Sequence, residues 1–203
     1  MIVNYRDRRT ERFAQGEHVK DFSGFARQAE VRLDRLDAAN SLKDLAALPG
    51  NRLERLQGDR KGSTAFASTT SGEFASNGLK DHRVRSMLRS RTTIKEGLSM
   101  GRTAIHPGEH LAEELAELKM SAAELARQID VPVNRITEIM NGQRSVTADT
   151  AIRLGHWFGT SAEFWLNLQK LYELRVAQKE IGAVVAKLPR LQDRKSSEGR
   201  TSV

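Results

Sequence analysis

Cysteine is absent from all 203 residues, which excludes disulfide scaffolds, thiolate zinc sites, iron–sulfur clusters and a cysteine nucleophile. No apolar run approaches the ~18 residues that a bilayer span requires. The opening Met1-Ile-Val-Asn-Tyr-Arg-Asp-Arg-Arg9 turns charged too early for the apolar stretch of a signal peptide. A soluble cytoplasmic protein without a membrane partner is therefore expected. Acidic groups are the minority, 26 against 33 Lys and Arg, and the net charge of +7 favours a polyanionic partner only weakly. The length suits one long domain or two short ones.

What is present divides at breaks in composition. Residues 1–62 read as the start of a small α+β unit. Met1–Tyr5 is a candidate strand, and Phe22, Phe25, Ala29, Leu33 and Leu36 recur at helical steps along one stripe. Ser41-Leu-Lys-Asp44 is a helix-start box, Leu42, Leu45 and Leu48 follow it, and Pro49-Gly50 stops the helix. Arg52–Leu56 then alternates weakly, as an exposed strand does. The resulting sheet is unfinished, so these residues are expected to be marginal or partly unfolded.

Residues 63–99 hold the highest excess of positive charge per residue, six basic against three acidic groups. Ser63–Gly78 is small and polar without a sustained period, which reads as loop or disorder. Beyond it Arg83, Arg85, Arg89, Arg91 and Lys95 surround few apolar residues. A solvated basic linker is the main expectation, and an arm that binds nucleic acid is the other.

Residues 100–188 are strongly helical. Leu111, Leu115 and Leu118 follow Pro107, which a first turn tolerates. Ser121-Ala-Ala-Glu124 is a capping box opening a short helix through Gln128. Asp130-Val-Pro132 makes a turn, and a second short helix runs from Val133 to Met140, closed by Asn141-Gly142. Thr147 opens a helix ending at Phe158 and Gly159, and Thr160-Ser-Ala-Glu163 is a box opening a long helix whose apolar stripe continues through Ile181, Val184, Val185 and Leu188. The tail, 192–203, is expected to be disordered.

Two short helices meeting steeply need a small residue at the contact and apolar anchors on the second helix. Ala126 supplies the first; Ile136 and Ile139 supply the second. The spacing predicts a helix-turn-helix with Val133, Asn134, Arg135, Thr137 and Glu138 facing outward. In such a unit the start of the second helix enters the major groove of DNA, where Asn pairs with adenine, Arg with guanine and Thr meets a thymine methyl. Gln128, Asn141 and Arg144 fall where flanking phosphates pass. A helical bundle with a merely solvated polar face is the competing reading. Trp165, Leu168 and Tyr172 are either intramolecular core or a dimer seam. His106 and His110 have i, i+4 spacing but no acidic motif completes a zinc-hydrolase pattern, so they read as surface or capping groups, and no metal or cofactor is expected.

Over residues 100–191 the sequence resembles the HigA-type antitoxins with a Cro/C1-like helix-turn-helix. Ile105-His-Pro-Gly-Glu-His-Leu111, Asn134-Arg-Ile-Thr-Glu-Ile-Met-Asn-Gly-Gln-Arg144 and Leu154-Gly-His-Trp-Phe-Gly-Thr-Ser-Ala-Glu-Phe-Trp-Leu-Asn-Leu168 carry the likeness. The resemblance implies a mainly α, five-helix domain that forms a homodimer, binds a palindromic double-stranded operator, represses its own operon and neutralises a toxin. Two positions depart from the pattern. Lys119 and Asp130 stand where glycine is common, and a positive φ there carries a strain of about 1 kcal/mol.

Residues 1–62 resemble the first two thirds of a RelE/HigB-like toxin, a ribosome-dependent messenger-RNA endonuclease, through Ile2–Asp7, the Phe22–Leu36 stripe, Leu48-Pro49 and Asn51–Gly62. The strands that follow in that family, with their arginine, histidine and aromatic groups, are missing after Ser63. A shift of reading frame accounts for the break. Gly62–Asn77 can be encoded so that the offset frame reads as an alternating strand pair. The same offset over Met87–Glu96 gives Val-Glu-Ile-Ala-Asp-Tyr-His and a stop, and Lys95-Glu96-Gly97 can be encoded by a ribosome-binding AAGGAGG ahead of Met100. Gly58, Asp59, Arg60 and Lys61 survive, but a lone basic turn cannot both orient RNA and transfer protons. The expectation is a non-enzymatic DNA-binding antitoxin and autorepressor fused to an inactive toxin remnant. The alternative is a self-inhibited fusion that keeps endonuclease activity.

Overall fold

The computed structural model describes residues 8–51, 53–55, 64–66 and 101–189. The described chain is mainly helical. Its front part contains α1 (Arg8–Ala14), a 3-10 turn at Lys20–Phe22, α2 (Ala26–Ala38), α3 (Leu42–Ala46), a second 3-10 turn at Pro49–Asn51, and strands β1 (Leu53–Arg55) and β2 (Thr64–Phe66). Its back part contains α4 (Pro107–Glu117), α5 (Ala122–Gln128), α6 (Val133–Met140), α7 (Ala148–Phe158) and α8 (Ala162–Val185). The suggested strand at Met1–Tyr5, most of the linker, the surviving Gly58–Lys61 turn and the tail lie outside the described residues.

Helix starts follow side-chain chemistry closely. Ser41 and Asp44 form a reciprocal capping box on α3. His106 plays the same part on α4: its Nδ1 accepts from the Gly108 amide at 3.0 Å while Glu109 accepts from the His106 amide at 3.2 Å. Pro107 fills the first turn, where no amide hydrogen is needed. Ser121 caps α5. The start of α8 lies one residue later than the expected box: Ser161 is the cap, accepting from the Phe164 amide, because the Thr160 hydroxyl accepts instead from Trp165 Nε1 at 3.0 Å.

Helix ends repeat one motif. After α4, Met120 N donates to Leu115 O and Lys119 N to Ala116 O; after α5, Val131 N donates to Ala126 O; after α6, Gln143 N donates to Glu138 O. This wrap requires a left-handed residue just past the helix. Gly142 supplies it after α6 with φ of 70°, but the corresponding residues after α4 and α5 are Lys119 (φ 53°) and Asp130 (φ 54°). The strain anticipated at both positions is therefore present.

The front part departs from expectation in two ways. Thr64–Phe66, expected as loop, pairs antiparallel with β1 in the register Leu53 to Phe66; three residues are too few for alternation to be seen. Residues 8–51 also have an ordered core, part of it their own and part shared with the back part. Phe13, Ala14, Ala29 and Leu33 cluster with Phe22 and Phe25 around them, while Ala38 and Leu48 join the main core of the back part, with Leu111, Leu115, Leu154, Trp165 and Leu168. The missing side of the front part is supplied by the helices of the back part.

Charge seals this junction. Arg35, 0% exposed, pairs with Glu114 at 2.7 Å and Glu113 at 2.9 Å, and donates to Asn51 Oδ1 at 2.8 Å. Asp34 accepts both Nη groups of Arg175 at 2.6 and 2.7 Å, and Arg102 lies 3.2 Å away. Gly50 N donates to Glu114, Asn167 to Ala38 O, and the Ser161 amide to Asp44 at 2.6 Å. His106 caps, as anticipated, but His110 is buried in this junction rather than on the surface. Its Nδ1 faces Arg35 Nε at 3.4 Å.

Burial, followed by the nearby cations Arg35, Arg27 and Arg32 of α2 and Arg175 of α8, holds the His110 pKa well below its ordinary value. The folded state thus keeps His110 neutral while the unfolded chain binds a proton below about pH 6.5. The stability of the native chain relative to a His110→Gln variant should fall by about 1 kcal/mol between pH 6.5 and 5.5, read from urea unfolding at each pH. Burial raises the carboxyl pKa of Asp34 and of Glu114; these act in the opposite direction on acidification but are common to both proteins. Lys119→Gly should stabilise the fold by up to about 1 kcal/mol, because glycine adopts positive φ without strain, and an unchanged or lower urea midpoint would contradict that account.

Candidate nucleic-acid interface

The helix-turn-helix is α5, the turn at Ile129–Pro132, and α6. Leu125 and Ala126 of α5 and Ile136 and Ile139 of α6 have no exposed surface. The small methyl of Ala126 allows the close approach, and the isoleucines fix which side of α6 faces the core. Gly108 fixes its far end. A Cβ there would overlap the Ile139 carbonyl and crowd Met140, so the start of α4 abuts the end of α6 backbone to backbone.

The turn lacks a side-chain cap of its own, since Pro132 occupies the N-cap of α6. Arg153 of α7 braces the other side of the turn, donating to the carbonyls of Ile129 at 2.7 Å and Asp130 at 3.1 Å at the end of α5. Asp149 then accepts from Arg153 Nε at 3.1 Å and pairs with Arg135 Nη1 at 2.5 Å. Hydrogen bonds from Arg153 and from Arg135 hold the Asp149 carboxyl below its ordinary pKa.

The structure places the eight sequence-derived residues along the outer edge of this unit. Val133 is 43% exposed and Asn134 is exposed beside it at the start of α6. Arg135, Thr137 and Glu138 are half-buried. Each has a partner: Arg135 has Asp149, the Thr137 hydroxyl donates to Asn134 O at 3.0 Å, and Glu138 pairs with Arg144 at 2.9 Å. Gln128 is exposed at the end of α5, where its Oε1 accepts from Trp157 Nε1 at 2.7 Å. Asn141 and Arg144 are exposed beyond α6. Sequence reasoning missed Asp149, Arg153 and Trp157. The i, i+4 spacing of Asp149 and Arg153 signals a helical ion pair, but not that it reaches across to the turn and to α6.

Trp165 and Leu168 are core residues, each 1% exposed, and Tyr172 stands edge-on to His106 with ring centroids 4.8 Å apart. Trp165 and Leu168 are therefore intramolecular core, while Tyr172 stays half-buried. The exposed apolar residues of α8 are instead Leu174, Ile181, Val184 and Val185. Among the described residues there is no group of three or more His, Asp or Glu placed to hold a metal ion, and no helix long and apolar enough to cross a membrane.

The sequence matches the helix-turn-helix family over residues 111–165. It is 43% identical over 96 residues to virulence-associated protein I of Dichelobacter nodosus, a stretch that makes up 47% of this chain and 89% of that protein. Among solved structures, an addiction-module antidote protein of the HigA family from Coxiella burnetii is 53% identical, 44% of this chain matching 98% of that one with a TM-score of 0.43. Antitoxin HigA of Pseudomonas aeruginosa, solved with the higBA promoter, is 43% identical, 44% of this chain matching 99% of that one with a TM-score of 0.43.

A Gly108→Ala substitution tests the packing of α4 on α6. In an open helical position this change stabilises by roughly 0.5–1 kcal/mol. Here it should cost about 1–3 kcal/mol, because the methyl has no space and the backbone of α6 must move; chemical denaturation reads the sign directly.

Proposed function

The chain belongs to the helix-turn-helix family of DNA-binding regulators and antitoxins, and from that premise we propose that its back part, residues 100–191, is an operator-binding antitoxin that represses its own operon. The observation that carries this reading is the geometry of α6: two fully buried isoleucines moor one side while Val133 and Asn134 lead the other into solvent. A helix held this way presents its first turn to the major groove. On this reading Asn134 pairs with adenine, Arg135 with guanine, and Thr137, whose hydroxyl is already satisfied by its own helix, offers its methyl to thymine. Gln128, Asn141 and Arg144 flank this edge as phosphate contacts.

The antitoxin half of the proposal is supported by the resemblance of Ile105–Leu111, Asn134–Arg144 and Leu154–Leu168 to HigA-type sequences. A homodimer reading a palindrome, with half-sites about one helical turn apart, is supported by the apolar residues that α8 leaves exposed. Residues 1–62 are proposed as a toxin remnant without catalytic function, residues 63–99 as an out-of-frame linker, and residues 192–203 as a tail.

The test is binding to a duplex that spans the DNA upstream of the Met1 codon. Asn134→Ala and Arg135→Ala should each weaken binding by about 1–3 kcal/mol and relax specificity at one base pair. Arg144→Ala should weaken binding to all sequences alike and lower the salt slope by about 1. Affinity unchanged in both Asn134→Ala and Arg135→Ala would show that α6 does not read the duplex.

A further inference from the structure

We propose that Asp149, on the first turn of α7, is a positioning residue for base reading: it pins the Arg135 guanidinium in the orientation that meets guanine and opposes the capture of that guanidinium by phosphate. The proposal rests on reading Arg135 as a base contact, and it places a determinant of sequence preference outside the helix-turn-helix itself.

The geometry is a chain of contacts running from the turn to α6. Arg153 Nη1 is fastened to the Ile129 and Asp130 carbonyls, Arg153 Nε donates to Asp149 Oδ1, and Asp149 Oδ2 accepts from Arg135 Nη1. Both oxygens of the carboxylate are thus committed, and the carboxylate is itself tied through Arg153 to backbone. The side chains of Arg135, Arg153 and Asp149 are 27%, 37% and 56% exposed. Ion pairs this open to water contribute little to stability, so their consequence lies in where the guanidinium points. A contact at Nη1 leaves Nε and Nη2, the parallel pair of N–H groups that matches O6 and N7 of guanine. Among the described residues no side chain occupies that pair.

The same carboxylate sets the local electrostatics. An unpaired guanidinium binds phosphate whatever the sequence, because each such contact releases counterions from the duplex. Arg135 and Arg144, the two cations of the outward edge, are both paired, with Asp149 and with Glu138. Hydrogen bonds from Arg153 and from Arg135 keep the Asp149 carboxyl below its ordinary pKa, so the negative charge is in place at neutral pH. A phosphate that takes Arg135 must displace this carboxylate or lie against it. Guanine is uncharged and takes Nε and Nη2 with the pair intact. Asp149 therefore penalises the sequence-independent contact and spares the base contact. An acidic residue in a first turn also suits the dipole of its own helix, but that effect is local to α7 and makes no demand on Arg135.

The experiment uses the full chain, native and with Asp149→Asn, Arg135→Ala or both. Each protein is titrated with the duplex upstream of the Met1 codon, with that duplex carrying each base-pair replacement in turn, and with a random duplex of equal length. Asp149→Asn should bind the random duplex more tightly, with a salt slope steeper by about 1, so that the affinity lost between about 50 and 200 mM salt grows about 3-fold. Discrimination at one base pair should fall at least ~5-fold. In the Arg135→Ala background the same substitution should leave that base pair unaffected. Asp149→Ser removes the same charge and serves if Asp149→Asn does not fold. A residue that merely supports α7 would weaken binding to all duplexes by one factor, with or without Arg135; that result, or an unchanged slope and unchanged discrimination in Asp149→Asn, overturns the proposal. Loss of the base-pair preference in Arg135→Ala but not in Asp149→Asn removes only the positioning role. Preference retained in Arg135→Ala removes Arg135 as a base contact, and the positioning role with it.

Discussion

A guanidinium with no exposed atom sets the terms on which this chain folds. Taking Arg35 out of water costs several kcal/mol, and the cost is met only when acceptors surround it. Asn51 comes from its own half, but Glu113 and Glu114 lie on α4. Asp34, one residue earlier, looks to Arg102 and Arg175 in the same way. The front part thus brings charges it cannot satisfy, and the back part brings their partners. The apolar floor supplies net stabilisation, and the ion pairs dictate which surfaces meet and in what register.

The junction and the outward edge of the helix-turn-helix divide the back part between them. α4 and α8 receive the front part; α5 and α6 carry the outward residues, and α7 links the two tasks through its core residues Leu154 and Phe158 on one side and Asp149 and Arg153 on the other. Arg153 is the joint in this arrangement. It satisfies the carbonyls of Ile129 and Asp130 at the end of α5 and orients Asp149, which in turn holds Arg135.

How far the sequence reveals this structure depends on how local each cause is. Pro107, Ser121, Gly142 and Gly159 act within a turn of themselves, and the elements they bound are legible. Ala126, Ile136 and Ile139 lie within fourteen residues, close enough for spacing to define the helix-turn-helix. Lys119 and Asp130 announce their left-handed backbone by standing where glycine is usual. At Thr160 and Ser161 two hydroxyls compete for one cap, and the winner is decided by Trp165. The junction is of another kind. Asp34 and Arg35 sit on a helix whose polar residues read as solvated, and nothing within α2 says that Glu114 and Arg175 will cover them. His110 looks like a surface group for the same reason. The eight residues assigned to DNA contact were legible as one outward edge, whereas the ion pairs that restrain Arg135 and Arg144 involve partners that spacing alone does not connect.

The separation of Asp34 from Arg175 by 141 positions also has a consequence during synthesis. A ribosome adding roughly 5–20 residues each second releases α2 many seconds before α8, so the front part emerges, waits in water with its carboxylates and guanidinium hydrated, and closes only when translation is nearly complete. The junction between the two parts is therefore the last contact that synthesis allows, even though each of its first-made members has long since left the ribosome.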